Sequence, residues 1–173
     1  MSGVRTQRSE EKDPERSKLD VRSMRLADVD EVSLLERAIF PMPWPGQAFV
    51  HELKEGPTSF CLVARDGALL AGYLVAWFVY DEAHLGNIAV RPELRRQGVA
   101  TRLMQRLIKE AEDRSVRRMT LEVRVSNIEA IRIYRGFGFR AISIRRGYYV
   151  DNREDAFVML KEFTGFGSEP SAE

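Results

Sequence analysis

The sequence predicts one α+β (mixed α/β) domain, with a central, mostly antiparallel sheet of about seven strands flanked by four helices. Three observations carry this. Short β-rich runs are joined by tight-turn signals, chiefly Asp66-Gly67. A strongly amphipathic helix separates the β-rich runs near residues 84 and 123, which demands a crossover and a parallel pair. A chain of 173 residues with 44% apolar side chains suits one core.

The elements follow in order. Leu19–Leu26 reads as a strand. Asp28 is placed to cap a helix carrying Val29, Val32, Leu35 and Ile39. Pro41, Pro43 and Pro45 forbid regular structure between Phe40 and Gly46, because proline lacks a donor and fixes φ. A second helix spans about Gln47–Glu55. Ser59–Arg65, Leu69–Tyr80 and about Glu82–Val90 form a three-strand meander. From Gly98 to Arg114, Ala100, Leu103, Met104, Leu107, Ile108 and Ala111 recur at helical spacing. Met119–Val125 alternates, with Met119, Leu121, Val123 and Val125 on one face and Thr120, Glu122 and Arg124 on the other. Asn127 can cap a helix with Ala130, Ile133, Tyr134 and Phe137 on one stripe, ended by Gly138. Two last strands, roughly Phe139–Arg146 and Asp155–Lys161, flank a loop containing Gly147-Tyr148-Tyr149.

Composition excludes several function classes. A net charge of +1 gives no global field for nucleic acid or a membrane, and no stretch approaches the roughly 20 apolar residues of a membrane span. The polar start does not resemble a signal peptide, so a cytoplasmic protein is expected. Cys61 is the one cysteine and sits in an apolar run, a buried hydrophobe rather than a disulfide partner. His51 and His84 lack ligand spacing, so no metal is expected. Residues 1–18 mix five basic with four acidic side chains and have little to bury. They read as a disordered tail before a domain over 19–162, with a flexible tail over 163–173.

The most informative segment is Asn87-Ile88-Ala89-Val90-Arg91-Pro92-Glu93-Leu94-Arg95-Arg96-Gln97-Gly98-Val99-Ala100. A strand ends, a short basic loop turns, and a long helix begins. The first N–H groups of a helix lack internal partners and carry partial positive charge, which suits a pyrophosphate. Gly98 permits close backbone approach, Ala100 leaves the first turn unobstructed, and Arg95 and Arg96 add charge. Neither GxGxxG nor GxxxxGK[ST] occurs. A basic loop ahead of a helix is the plain alternative. Arg95-x-x-Gly98-x-Ala100 nevertheless resembles the [RQ]-x-x-G-x-[GA] signature of the GNAT acetyltransferases, between the expected strand and helix. The resemblance implies a GNAT fold with acetyl-CoA as co-substrate. It would place pantetheine along Ile88, Ala89 and Val90, and the pyrophosphate at Arg96, Gln97, Gly98, Val99, Ala100 and Thr101.

Downstream, Leu121-Glu122-Val123-Arg124-Val125-Ser126-Asn127, then Ala130-Ile131 and Ile133-Tyr134-x-x-x-Gly138-Phe139, is similar to the RimI group of ribosomal-protein alanine acetyltransferases. Pro43-Trp44, Asn87-Ile88-Ala89-Val90, Arg145-Arg146-x-Tyr148-Tyr149 and Glu154-Asp155-Ala156 extend the likeness over about residues 20–162. It implies Glu122 as general base, Tyr134 as general acid and a cofactor contact from Asn127. Acetyl transfer needs a neutral amine to attack a thioester and a thiolate to leave. A carboxylate can take the amine proton and a phenol can protonate the sulfur. Glu122 lies on the polar face of its strand, and Asn127 and Tyr134, seven residues apart, share a helical face. A strand N–H near Ile88 or Ala89 is a candidate oxyanion donor. The plain alternatives are a solvated carboxylate, a core aromatic and a simple cap.

An α-amine titrates near 8 and a lysine near 10.4, so at pH 7 about a tenth of the former is neutral against fewer than one in a thousand of the latter. This favours a protein N-terminus as acceptor, and the resemblance implies the N-terminal alanine of a small-subunit ribosomal protein. A broader N-terminal, lysine or small-amine transferase and a non-catalytic coenzyme A-binding module are the alternatives. Phe40–Pro45 and Tyr148-Tyr149 either border the acceptor or pack the core. Arg145-Arg146 reads as a solvated strand end.

Overall fold

The computed structural model describes residues 19–164, so the predicted N-terminal tail lies outside the described residues, as does most of the C-terminal one. Phe163 still packs against the core, and its N–H donates to Arg117 O at 2.9 Å.

The chain enters through β1 (Leu19–Ser23) and turns through a 3-10 segment, Leu26–Asp28, into α1 (Val29–Ile39). α2 (Gly46–Lys54), β2 (Ser59–Asp66), β3 (Leu69–Val79) and β4 (Glu82–Val90) follow. Then come α3 (Val99–Asp113), β5 (Arg118–Arg124), α4 (Ile128–Gly136), β6 (Arg140–Tyr149) and β7 (Glu154–Glu162). The seven strands form one sheet in the order β1-β2-β3-β4-β5-β7-β6. Among the described residues only β4 and β5 pair in parallel, joined by α3 as the periodicity predicts. β7 inserts between β5 and β6, which leaves β6 at the edge.

Three local expectations need correction. The first strand stops at Ser23, and Asp28 does not cap α1 with its side chain. Its carboxylate instead accepts the Arg25 N–H at 2.8 Å and the guanidinium groups of Arg22 and Arg65. Paired so, it favours a tight turn ahead of the helix. Gly147, Tyr148 and Tyr149 belong to the end of β6 rather than to a loop, because Tyr149 pairs with Glu154 across the hairpin.

Two cores sandwich the sheet. On one face α3 buries Leu103, Met104 and Leu107 completely against Leu74, Leu85 and Leu121, and α4 adds Ile131 and Tyr134. Each such aliphatic side chain contributes about 1.5–3 kcal/mol on leaving water. On the other face Val32, Leu35 and Phe49 of α1 and α2 cover Cys61, Val63, Tyr73 and Val75. Among the described residues no helix is long and apolar enough to cross a membrane.

Two irregularities open the sheet where chemistry can occur. The β4–β5 pairing runs from Glu82↔Arg118 to Leu85↔Leu121 and goes no further, although both strands continue. Beyond that point the strands diverge. The β3–β4 register also slips, with Val75 opposite Asn87 but Ala76 opposite Leu85, so Gly86 is an extra, bulged residue.

Candidate active site

The divergence of β4 from β5 creates two clefts that meet between the strands. One, of about 610 Å³, is bordered by Ile88, Ala89 and Val90 of β4, by the start of α3, and by α4. The other, of about 570 Å³, lies on the α1–α2 side and is bordered by Glu122, His84 and Trp77. Phe40, Ile88, Asn127 and Tyr134 border both.

The first cleft is shaped by backbone. Gly98 precedes α3 at φ +83°, and Arg96 also adopts a left-handed φ of +62°. These two left-handed residues turn the backbone sharply just ahead of the helix, a turn whose N–H groups can meet an anion. The first α3 bond runs from Arg102 N–H to Gly98 O at 3.0 Å, so the N–H groups of Val99, Ala100 and Thr101 precede it. A Cβ at Gly98 would meet nothing within 4 Å, because the residue faces the open cleft. Arg95, Arg96 and Arg132 supply positive charge to the lining. Gln97 lies outside the lining, and its side-chain amide donates to Glu93 O at 3.1 Å. A donor-rich, positively charged turn beside an unpaired strand edge fits a pyrophosphate joined to an extended amide chain. Asn127 caps α4 by accepting the Ala130 N–H at 3.2 Å and also borders the cleft.

The second cleft holds the titratable groups. Glu122, with a side chain only 10% exposed, faces His84 Nε2 at 3.1 Å and Arg145 Nη1 at 3.3 Å. The hydrogen bond from His84, followed by the charges of His84 and Arg145, outweighs burial and holds its carboxyl below the usual glutamate range. His84 Nδ1 lies 2.9 Å from Thr120 Oγ1, which fixes the ring between two residues of β5. Tyr134 is 6% exposed, and burial pushes its phenol well above the ordinary range. Tyr149 stands close by. Burial, partly opposed by Arg124 stacked 3.8 Å over its ring, pushes it up to about 12.

The Pro-rich segment between α1 and α2 is held by Glu36, a carboxylate with 1% exposure. It accepts the Trp44 N–H at 2.9 Å, the Tyr73 hydroxyl, and the Asn87 amide at 3.3 Å. Burial, then the Glu36 charge, drives the Tyr73 phenol upward. Phe40, Met42 and Trp44 thereby form one wall of the cleft and Tyr148 and Tyr149 another.

The structure brings Tyr134, Asn127 and Ile88 to the junction of the two clefts, places Glu122 in the second cleft, and sets Ala89, Val90, Arg96, Gly98, Val99, Ala100 and Thr101 along the first. No motif singles out Glu36, Trp77 or Arg132, and His84 stands out in the sequence only as a histidine without metal-ligand spacing. Glu36 had a signal, since it falls on the apolar stripe of Val32, Leu35 and Ile39. Arg145, read as a solvated strand end, reaches Glu122.

The Acetyltransferase (GNAT) family pattern matches residues 29–139, well over half of the chain. The chain belongs to the GNAT acetyltransferase family. A Bacillus subtilis (strain 168) relative, provisionally named a [ribosomal protein bS18]-alanine N-acetyltransferase, is 42% identical over 144 residues, covering 83% of this chain and 95% of its own. The Escherichia coli (strain K12) [ribosomal protein bS18]-alanine N-acetyltransferase is 37% identical over 141 residues, covering 80% of this chain and 94% of its own. The crystal structure of the ribosomal-protein-S18-alanine N-acetyltransferase from Escherichia coli superposes with a TM-score of 0.79 at 34% identity, over 86% of this chain and 96% of that one. The seven-stranded mixed sheet and four helices are thus the GNAT fold, and this acetyltransferase is of the RimI type.

Proposed function

We propose that this GNAT enzyme transfers acetyl from acetyl-CoA to the α-amine at a protein N-terminus, with the N-terminal alanine of ribosomal protein bS18 as acceptor. One observation carries the reading. A donor-rich cleft and a carboxylate-bearing cleft enter the split between β4 and β5 from opposite sides and meet at Tyr134. The names of the Escherichia coli and Bacillus subtilis relatives support the acceptor.

In this reading the N–H groups of Val99, Ala100 and Thr101, with the Arg96–Gly98 turn, would hold the pyrophosphate, and Arg95 and Arg132 would add charge. The β4 edge at Ile88–Val90 would pair with the pantetheine amides, directing the thioester toward the junction. The acceptor would enter between Phe40–Trp44 and Tyr148–Tyr149.

Glu122 would act as base from its ionised state. Held below the usual range, it draws the amine proton over a water or through the His84 contact rather than as a strong base by itself. The α-amine attacks the thioester carbonyl, the C–N bond forms and the C–S bond breaks. The amine proton passes to the Glu122 side, and the Tyr134 hydroxyl donates toward the departing sulfur. Burial keeps Tyr134 a phenol, so its proton is present when needed. A strand N–H near Ile88 or Ala89 would receive the carbonyl oxygen.

The test compares thiol release and product mass for two peptides with the bS18 amino-terminal sequence, one with a free and one with a blocked α-amine. Acetylation of the free peptide alone is expected. Equal transfer to a lysine in the blocked peptide would overturn the acceptor assignment, and binding of acetyl-CoA without turnover on either would overturn the enzymatic one.

A further inference from the structure

Trp77 plays no part in the chemistry above, yet it occupies the acceptor cleft beside Glu122 and His84. It pairs directly with His84 across β3 and β4, which puts both side chains on the α1–α2 face. The bulged Gly86 lies next to this pair. A Cβ there would overlap the six-membered ring of Trp77, so the indole rests on bare backbone.

The ring is held by several neighbours. Its Nε1–H donates to Glu52 Oε2 at 2.8 Å, and Glu52 also accepts the Ser59 hydroxyl. Trp44 stands 6.0 Å away, centroid to centroid, and the His84 imidazole stacks at 6.0 Å with an interplanar angle of 19°. A half-buried aromatic fixed by a hydrogen bond and two rings does not swing aside for a ligand. The imidazole stacked on it is the one that faces Glu122.

We propose that the Trp77 indole, seated on Gly86, is the wall that limits the acceptor's first side chain to a small one. The proposal rests on the α-amine reading of the second cleft. An amine poised for Glu122 sits next to the His84 ring, so the side chain on the same Cα extends toward the adjoining indole. A rigid wall discriminates by overlap: a methyl group fits, whereas a longer side chain must displace a ring that Glu52, Trp44 and His84 hold in place. Close packing makes such displacement costly even for one or two extra carbons.

The experiment measures kcat/KM for peptides identical after residue one and beginning with Ala, Ser, Val, Leu or Met, using the parent, Trp77→Leu and Trp77→Phe. Expected is a parent preference for Ala and Ser, and a rise of about tenfold or more in the Leu:Ala and Met:Ala ratios for Trp77→Leu, of the size that one or two methylenes command in an apolar pocket. Trp77→Phe should fall between and carries the test if the leucine variant does not fold. The ratio is the readout because loss of the stack on His84 slows every peptide alike. Ratios within twofold of the parent, in a folded variant still active on the Ala peptide, overturn the proposal. A parent inactive on all five α-amines overturns instead the acceptor reading on which it rests.

Discussion

Gly98→Ala separates the role of Gly98 in binding from its role in the fold. The residue adopts φ +83°, and a Cβ would meet nothing within 4 Å. The folding cost is therefore only that of a left-handed alanine, about 1–2 kcal/mol. For a domain of this size that lowers Tm by roughly 2–8 °C. Gly67, in the hairpin between β2 and β3, has φ +58° and equally open surroundings, but borders neither cleft. Gly67→Ala should thus cost the same stability and serve as the control. The methyl at Gly98 alone would stand where phosphate oxygens approach the N–H groups of the turn. Loss of one charge-assisted bond, about 1.5–3 kcal/mol, weakens acetyl-CoA binding by roughly 10–150-fold. Titration calorimetry of both variants, with thermal melts, is the assay. Similar melts with a weakened Kd for Gly98→Ala only are expected. Equal acetyl-CoA affinity in the two variants would refute the placement of the pyrophosphate.

Tyr134→Phe should lower kcat by about 10²–10⁴-fold while leaving the acetyl-CoA Kd within about twofold, read by single-turnover kinetics beside calorimetry. Glu122→Gln should lower kcat/KM without moving the pH midpoint. In the parent Glu122 is already ionised at neutral pH, its proton affinity being depressed, so the rise in rate between about pH 6 and 9 follows the acceptor α-amine. A parent profile breaking in the same place for acceptors of different amine pKa would count against this. Asp28→Asn should cost about 3–5 kcal/mol at pH 7, since Arg22 loses its charged partner in a nearly buried site and Arg65 keeps only Glu31. The bonds from Arg22 lead in holding the Asp28 carboxyl far below its usual range. Its contribution is thus complete above the unfolded value near 3.9 and fades as pH falls toward the folded one. Urea melts at pH 7 and pH 3 should show the deficit shrinking on acidification, and a constant deficit would refute the ion-pair origin.

Much of the fold was legible because it rests on local periodicity. α3 announces itself through Leu103, Met104, Leu107 and Ala111, and β5 through its alternation, since burial of one face leaves its period in the chain. The same alternation put Glu122 opposite the core. β1 ends at Ser23, short of the Leu26 that the pattern suggests, because nothing in Met24–Leu26 reveals that Asp28 will draw Arg22 and Arg65 around it, a pairing that spans 37 residues in one arm. Tyr148 and Tyr149 were read as loop because Gly147 punctuates the run. The structure keeps them in β6 by two register slips that no local pattern encodes.

For the site, the chain by itself determined which groups are present and what each can do: a glycine able to take positive φ ahead of a helix, a carboxylate on a polar strand face, and a tyrosine on the same helical face as a capping asparagine. Folding decided what they do together. Only the end of β4–β5 pairing at Leu85 and Leu121 opens a passage between two clefts, and only the bulge at Gly86 seats Trp77 beside it. His84 and Glu122, 38 positions apart, meet because parallel register sets His84 beside Thr120. Period and turn chemistry are written within a few residues of one another, whereas register, strand order and the partners of a buried charge depend on contacts between segments distant in the chain.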